Sequence, residues 1–358
     1  MGAFILSKIF NSILTLFGVS SLVFLIFSVL PGDPAQMMLD QNEGSVQLEI
    51  LKKKYGFDLP IHQQYLYYLN DLSPLSIHSN KISHFTYFSP GEQSGFPLLK
   101  LQQYQMVLKW PYLRTSYQKQ GKPVSEVIAE TLPNTFILAL ASICIAIAVG
   151  LFLGILAMRY KDTLWDQIIL FGSTLGMSVP SFLSAILFSW LFGYVFHSWT
   201  QLNMTGSLFE IDDFGMGRRI QWKNLILPSI VLGIRPIAVI TQLIRSSLLE
   251  VLSQEYIKTA YAKGLSTTQV LYKHALKNAL NPVITALSGW FASMLAGAVF
   301  VEYIFGWKGL GKEIVTALNF LDIPVLMGAV LTIACLFILI NILVDLVYTL
   351  LDPQVKLN

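Results

Sequence analysis

Charge is scarce in this sequence: Asp, Glu, Lys and Arg supply 13% of its 358 residues, against roughly a quarter in an ordinary soluble domain. That deficit argues against a soluble protein and excludes the charge-rich disordered and coiled-coil classes. Cysteine is nearly absent as well. Cys144 and Cys335 each lie inside an apolar run without a CxxC spacing, so neither a disulfide framework nor a zinc site is indicated. The 24 basic and 21 acidic residues leave a net charge of +3, too small and too dispersed for a nucleic-acid partner. No GxSxG, HExxH or intramembrane Ser and His pairing stands out, so a hydrolase has no visible nucleophile and base.

Apolar residues, by contrast, make up 54% of the chain and gather into six stretches, each long enough to cross a bilayer at about 20 residues. Ile9 to Gly32, Thr131 to Met158, Gln167 to Phe196 and Asn278 to Val301 carry no charge; Leu225 to Ile244 is interrupted only by Arg235 and Pro324 to Leu351 only by Asp345. This pattern predicts an all-α polytopic membrane protein with six transmembrane helices. The first stretch exceeds the apolar region of a signal peptide and no A-x-A site follows it, so it reads as a retained anchor. Short-loop cations favour an inner side holding Arg159, Lys161, Arg245, Lys258, Lys263, Lys273 and Lys277 over an outer side holding Arg218, Arg219, Lys223, Lys308 and Lys312. Both termini are therefore predicted to be cytoplasmic. Pro180 and Pro236 each remove a helix hydrogen bond and predict a kink or break. Arg235 and Asp345 are the only ionisable residues within the predicted spans, which makes them candidates for a substrate path, with a mutual salt bridge as the competing reading.

Between the first two spans, Pro31 to Glu130 carries nine basic and nine acidic residues and is expected outside the cell membrane. Val46, Leu48, Leu51 and Tyr55, then Tyr65, Tyr68 and Leu69, recur at helical spacing. From Leu75 to Trp110 the pattern changes to aromatics punctuated by Ser, Asn, Gly and Pro, as in Ser89-Pro90-Gly91, which predicts turns or a short hairpin able to dock a partner or cap a mouth. His62, His78 and His84 lack ligand spacing and read as solvated loop residues rather than a metal site.

After the fourth span, Ser247-Leu248-Leu249-Glu250 reads as a helix continuing from the membrane, with Leu252, Tyr256 and Ile257 on one face. Gly264 suits its left-handed C-terminal cap. Ser266-Thr267-Thr268-Gln269 then spells a capping box, with Leu265 and Val270 as the hydrophobic staple, opening a short helix that carries Val270, Leu271, His274 and Leu276. The product is an exposed helical elbow, a form suited to a groove in another protein, against the plainer reading of a surface hairpin without a partner. Gly306-Trp307-Lys308-Gly309-Leu310-Gly311-Lys312-Glu313 nearly spells the phosphate-binding loop GxxxxGK[ST], but Glu313 stands where the magnesium-binding hydroxyl belongs. A tight glycine turn with Trp307 in the interfacial belt is the expectation there.

Taken together, these segments resemble the inner-membrane permease subunits of ATP-binding-cassette (ABC) importers of the dipeptide, oligopeptide and nickel group. The similarity spans nearly the whole chain: Gly18-Val19-Ser20 and Pro31-Gly32-Asp33-Pro34-Ala35; Gly56-Phe57-Asp58-Leu59-Pro60 with Gln64-Tyr65; Glu130-Thr131-Leu132-Pro133-Asn134-Thr135; Ser178-Val179-Pro180-Ser181-Phe182; and Arg245 to Leu252. Most specific is Glu255-Tyr256-Ile257-Lys258-Thr259-Ala260-Tyr261-Ala262-Lys263-Gly264 with His274-Ala275-Leu276-Lys277-Asn278-Ala279, which looks like the family's EAA coupling motif. Phe305 to Gly311, Leu343 to Tyr348 and Leu351-Asp352-Pro353 complete the match.

The resemblance implies a type I ABC importer permease-like core with an extracytoplasmic insert between helices 1 and 2. Its expected divisions are an N-terminal transmembrane helix at 1–32, the insert at 33–130, a five-helix core at 131–351 with a cytoplasmic coupling segment at 245–282, and a cytoplasmic tail at 352–358. It implies a second permease, two cytoplasmic ATPase subunits that bind ATP and magnesium, an external solute-binding protein, and a peptide, nickel or other small solute as cargo in the inner membrane. The chain itself is expected to hold no cofactor and to catalyse nothing. Glu255, Thr259, Ala260, Gly264 and Ser266 would shape the elbow, and His274, Leu276 and Asn278 would anchor its return. A stand-alone carrier or channel, and a membrane anchor for a surface complex, are the competing readings.

Overall fold

The structure, a computed structural model, describes residues 2–29, 34–38, 45–81, 84, 86–89, 94–119, 121–211 and 217–351. Gly32, Asp33, the Pro90-Gly91 turn and the 352–358 tail lie outside the described residues. Helix α1 (Gly2–Val29) is followed by α2 (Pro34–Met37), α3 (Ser45–Tyr55) and α4 (Ile61–Leu72), then by strands β1 (Leu75–Ser79), β2 (Gly95–Lys100) and β3 (Tyr104–Lys109). Next come α5 (Val124–Arg159), α6 (Leu164–Ser178), α7 (Ser181–Trp190), a π-helical turn Leu191–Val195, α8 (His197–Thr200), and the short strands β4 (Phe209–Ile211) and β5 (Arg218–Ile220). The remainder is helical: α9 (Lys223–Leu252), α10 (Glu255–Ala262), α11 (Thr267–Val270), a second π turn Leu271–Ala275, α12 (Leu276–Ala279), α13 (Asn281–Phe305), α14 (Leu310–Asn319) and α15 (Ile323–Leu351).

Among the described residues, five helices are long and apolar enough to cross a membrane: α5, α9, α13, and the stretches Leu6–Ser28 of α1 and Ile323–Val344 of α15. The expected third span is not one straight helix. Leu164–Ser178 and Ser181–Val195 meet at a bend of 107°. Pro180 lacks an amide hydrogen and crowds the residue before it out of the helical region, and Val179 accordingly lies extended at φ −79°, ψ 130°. At Pro236 the chain does not break, since α9 runs through both Pro228 and Pro236. Both are buried, in keeping with the tolerance of membrane helices for proline where neighbours support the helix.

The chain folds as two compact units, one comprising Met1–Phe4, Leu132–Lys312 and Leu336–Asn358, the other Ile5–Thr131 and Glu313–Cys335. In the first, a cluster of Leu138, Leu295, Val301, Phe305 and Trp307 fills the core, while Ile240, Ile244, Leu248, Ile257, Val270 and Val283 form a second cluster beneath the elbow. Helices α5 and α9 meet through Gly150 and Gly154, where an added Cβ would lie 2.7 Å and 2.8 Å from the Cβ atoms of Ile240 and Ile244. This is the small-xxx-small device that lets membrane helices approach closely where hydrophobic transfer supplies no drive.

In the second unit, Val23 and Phe24 pack with Tyr68, Met327 and Leu331, and the Phe24 ring stacks on Tyr68 at 5.5 Å. The expected short hairpin is larger than foreseen: β2 and β3 form it, and β1 adds antiparallel to β3 to give the order β1-β3-β2. His78 corrects the expectation of solvated histidines. It is buried, with Nε2 2.9 Å from the Ser76 hydroxyl and Nδ1 3.0 Å from the Thr86 carbonyl. Burial and the nearby Lys109 ammonium push its pKa down. His84 is half-buried against the Thr86 hydroxyl at 2.7 Å, and of these three histidines His62 alone is exposed. The Asp322 carboxylate ties the 116–118 segment to the start of α15, accepting from the Ser116 hydroxyl and from the amides of Tyr117 (3.1 Å) and Gln118 (3.3 Å).

Candidate coupling elbow and substrate path

The elbow is built from a break, a turn and a cap. The helix does not continue from the membrane to Gly264 as expected; α9 stops at Leu252, and Gln254 lies extended at φ −73°, ψ 149° before α10 begins. Ser253 Oγ donates to the Glu250 carbonyl at 2.7 Å, closing the end of α9 with a side chain. Helix α10 buries Ile257 and Ala260 against the Ile244, Leu248 and Val270 cluster and leaves Glu255, Tyr256, Lys258, Thr259 and Tyr261 exposed. Lys258 donates to Glu255 at 2.7 Å one turn away, and the Thr259 hydroxyl donates to the Glu255 carbonyl at 3.2 Å.

Gly264 then turns the chain at φ +82°. An added Cβ there meets nothing within 4 Å, so the left-handed backbone, not crowding, is what selects glycine. The capping box is present in both directions: the Gln269 amide donates to Ser266 Oγ at 3.4 Å and the Ser266 amide to Gln269 Oε1 at 3.0 Å. Beyond it the π turn widens the helix so that Ala275 and Ala279 face inward while Tyr272 and Lys273 face out. His274 and Leu276 are half-buried in that return. Asn278 Nδ2 donates to the Tyr256 hydroxyl at 2.7 Å, so the outgoing and returning arms are strapped directly together. The structure thus brings Glu255, Thr259, Ala260, Gly264, Ser266, His274, Leu276 and Asn278 into one element, with Tyr256, Tyr261 and Tyr272 as exposed aromatics on it.

Arg235 is exposed and lines a small cavity of about 60 Å³, together with Gly176, Val179 and Ser181 from the bend of the broken helix and Trp290 and Ser293 of α13. Asp345 falls within α15, but its side chain lies outside the described residues. Nor are these the only ionisable groups in the membrane helices. Asp166 of α6, buried, receives both Arg245 Nε at 2.7 Å and Arg245 Nη2 at 2.6 Å from α9, a bidentate pair at the base of the elbow. Arg245 had the look of a loop cation because its partner lies 79 positions away.

Glu302 of α13 is the other residue that sequence reading missed. It is fully buried, and its Oε2 accepts from the amides of Gly311 (2.7 Å) and Lys312 (3.2 Å) at the start of α14. The near phosphate loop therefore does cradle an acid group, but that group is the chain's own Glu302 carboxyl, seated on the first amides of α14. Trp307 is not at an interfacial belt; it is wholly buried, its indole Nε1 donating to the Asn134 carbonyl at 3.0 Å. Asn134 returns a bond to the Lys308 carbonyl at 2.7 Å, and Thr135 Oγ1 accepts from the Leu310 amide at 2.8 Å. Two motifs about 170 residues apart are thus one structural joint.

A multi-helix membrane core with a broken helix, a small cavity and a projecting helical elbow is the form expected of a transport permease. Comparison with known proteins makes the class specific: residues 146–357 match the family model described as "Binding-protein-dependent transport system inner membrane component", and residues 1–81 match its N-terminal companion. The chain belongs to this family. It is 31% identical over 99% of its length, and over the whole of the relative, to the dipeptide transport system permease protein DppB of Alkalihalophilus pseudofirmus. Against the oligopeptide transport system permease protein AppB of Bacillus subtilis the identity is 33% over 99% of this chain and all of that one. Among solved structures, a chain of the MetNI methionine ABC transporter superposes with a TM-score of 0.50 at 15% identity, covering 64% of this chain and 97% of its own length. That likeness supports the type I permease fold and nothing finer.

Proposed function

We propose that this chain is one of two permease subunits of an ATP-driven peptide importer in the inner membrane, pairing with a similar but distinct permease, two cytoplasmic ATPase subunits and an external solute-binding protein. The observation that carries the reading is the elbow: a short, internally tied helical knob whose inner face is packed on α9 and whose outer face is exposed. Such a knob transmits force because α10 is fixed to the membrane helices through Ile257 and Ala260 and to its return arm through Asn278. Peptide as the cargo rests on the names of the full-length relatives.

In this account ATP and magnesium are held by the ATPase subunits, and this chain performs no chemistry. Closure of the ATPase dimer moves the elbow, and the helices exchange between states open to one side or the other, driven by contacts that differ between those states. Arg235, beside the bend at Pro180, lines the substrate path, with Asp345 assigned to the same path. Both termini and the elbow face the cytoplasm, and the 33–130 insert faces the binding protein. The test is affinity purification of the chain from its own membrane in mild detergent, with mass spectrometry of what remains bound. Recovery of a second permease and of chains carrying a complete GxxxxGK[ST] is expected. Recovery of this chain alone, from a preparation that keeps other complexes intact, contradicts the proposal and favours a stand-alone carrier.

A further inference from the structure

Within the unit formed by Ile5–Thr131 and Glu313–Cys335, a cavity of about 410 Å³ opens between the last turns of α1, helix α4, the Tyr112–Tyr117 segment and the first turns of α15. Its size falls in the range of small-molecule sites. Phe24, Phe27, Met327 and Leu331 give it apolar walls contributed by two membrane helices. Among the described residues, the charged ones lining it are Lys52 and Arg114, and none of them is a carboxylate.

Two observations say what the cavity is shaped to hold. Tyr68, which lines it, is 7% exposed, yet its hydroxyl has no hydrogen-bond partner among the described residues. Burial pushes this phenol's pKa up, keeping it an O–H donor, and a buried donor of this kind calls for an acceptor oxygen. The second observation is the charge. Asp71, behind the wall, accepts from Arg114 Nε at 2.8 Å and lies 3.9 Å from Lys109, so this carboxylate is already engaged by cations. Among the described lining residues a peptide's ammonium group finds no acid, and a metal ion finds no His, Cys, Asp or Glu. An anionic head with an apolar tail fits each feature.

We infer that this cavity binds an anionic phospholipid. One acyl chain lies between the Phe24 and Phe27 side of α1 and the Met327 and Leu331 side of α15. An ester oxygen accepts from Tyr68, and the phosphate lies toward Lys52 and Arg114. The exposed Leu22, Leu25 and Ile26 on the outer side of α1 continue the apolar surface along which such a lipid enters from the bilayer.

The test uses the full chain in its purified assembly, incubated with equal amounts of phosphatidylglycerol and phosphatidylcholine, stripped of loosely held lipid and weighed intact by native mass spectrometry. Retention of one phosphatidylglycerol per chain, at least tenfold over phosphatidylcholine, is expected. Ser28→Phe, which fills the cavity from the α1 side, is expected to lower that retention at least tenfold. Tyr68→Phe keeps the ring stacked on Phe24 and is expected to lower it severalfold, while Lys52→Gln brings the two lipids close to parity. If Ser28→Phe fails to assemble, the other two variants decide alone. Equal retention of both lipids by the unaltered chain overturns the inference. So does unchanged retention in Tyr68→Phe and Lys52→Gln together, or capture of a free fatty acid or a peptide in place of the phospholipid. Lipid retention is read without uptake, so this outcome is separable from that of the transport proposal.

Discussion

Two glycine turns in the permease core share one local design and come to opposite ends. Gly264, at φ +82°, and Gly306, at φ +69°, both close a helix in the left-handed conformation and lead into a new helix start. At Gly264 the new start caps itself with Ser266 and Gln269, and the residues 261–264 and 266–269 remain exposed. At Gly306 the new start is capped by the buried Glu302 carboxylate, and Phe305, Trp307 and Leu310 disappear into the core. A turn that satisfies its donors locally leaves its surface for a partner, whereas one that borrows a distant buried acceptor becomes a joint. The first is where coupling is proposed, and the second is structural despite its likeness to a phosphate loop.

The sharpest way to break that contrast is to remove each anchor in turn. Glu302→Ala leaves the Gly311 and Lys312 amides without their acceptor in a buried site. With a buried donor left unsatisfied costing about 1–3 kcal/mol, a loss of about 2 kcal/mol or more is expected for the pair, read as failed assembly or a large drop in thermal midpoint. Little change would remove the structural role assigned to this joint. Gly154→Leu comes next, since it drives a side chain into Ile244 directly under the elbow. Overpacking of this kind costs about 1–3 kcal/mol, and loss of the α5–α9 contact should appear as a lower midpoint for the purified chain.

Gly264→Asp should separate stability from coupling. A side chain in a left-handed turn costs of order 1 kcal/mol, and the open space around Gly264 adds no clash. Normal insertion is expected, together with loss of substrate-stimulated ATP hydrolysis in the reconstituted transporter. Preserved stimulation would show that the elbow's turn is dispensable. The smallest effect lies in the other unit. His78 is held neutral, its pKa depressed from 6.5, so in acid the unfolded chain binds a proton that the folded chain refuses. Stability therefore rises with pH across that window and falls as pH drops below about 6.5. Thermal unfolding from pH 8 to pH 5 should show a small acid-side loss that His78→Gln reduces, with the Gly264 region unaffected.

What could be read from the sequence was what is local. The Ser266–Gln269 box spans three residues and its hydrogen bonds follow from spacing alone, as does the left-handed role of Gly264. Pro180 announced a break, but the 107° of the bend is fixed by packing against α9 and α13, which no window of sequence contains. The Asp166–Arg245 pair and the Asn134–Lys308 joint each depend on residues far apart in the chain. Glu302 was nearer to legible. A lone acid at the end of an apolar run, nine residues before a Gly-Lys pair, could have suggested an internal acceptor for the loop. Gly150 and Gly154 carried a signal too, since their four-residue spacing in an apolar helix is the small-residue contact pattern. The three-stranded sheet was legible only as turns and aromatics, because strand order and register depend on pairing partners that periodicity does not identify.

The claim on which the account turns is that the elbow docks on an ATP-hydrolysing subunit. A photoreactive residue placed at the exposed Thr268, activated in native membranes with and without ATP, tests it most directly. Crosslinking to a chain carrying a complete GxxxxGK[ST], with a yield that changes when ATP is added, is the predicted result. Efficient labelling of lipid or of unrelated proteins, with no such chain captured in either condition, would contradict it.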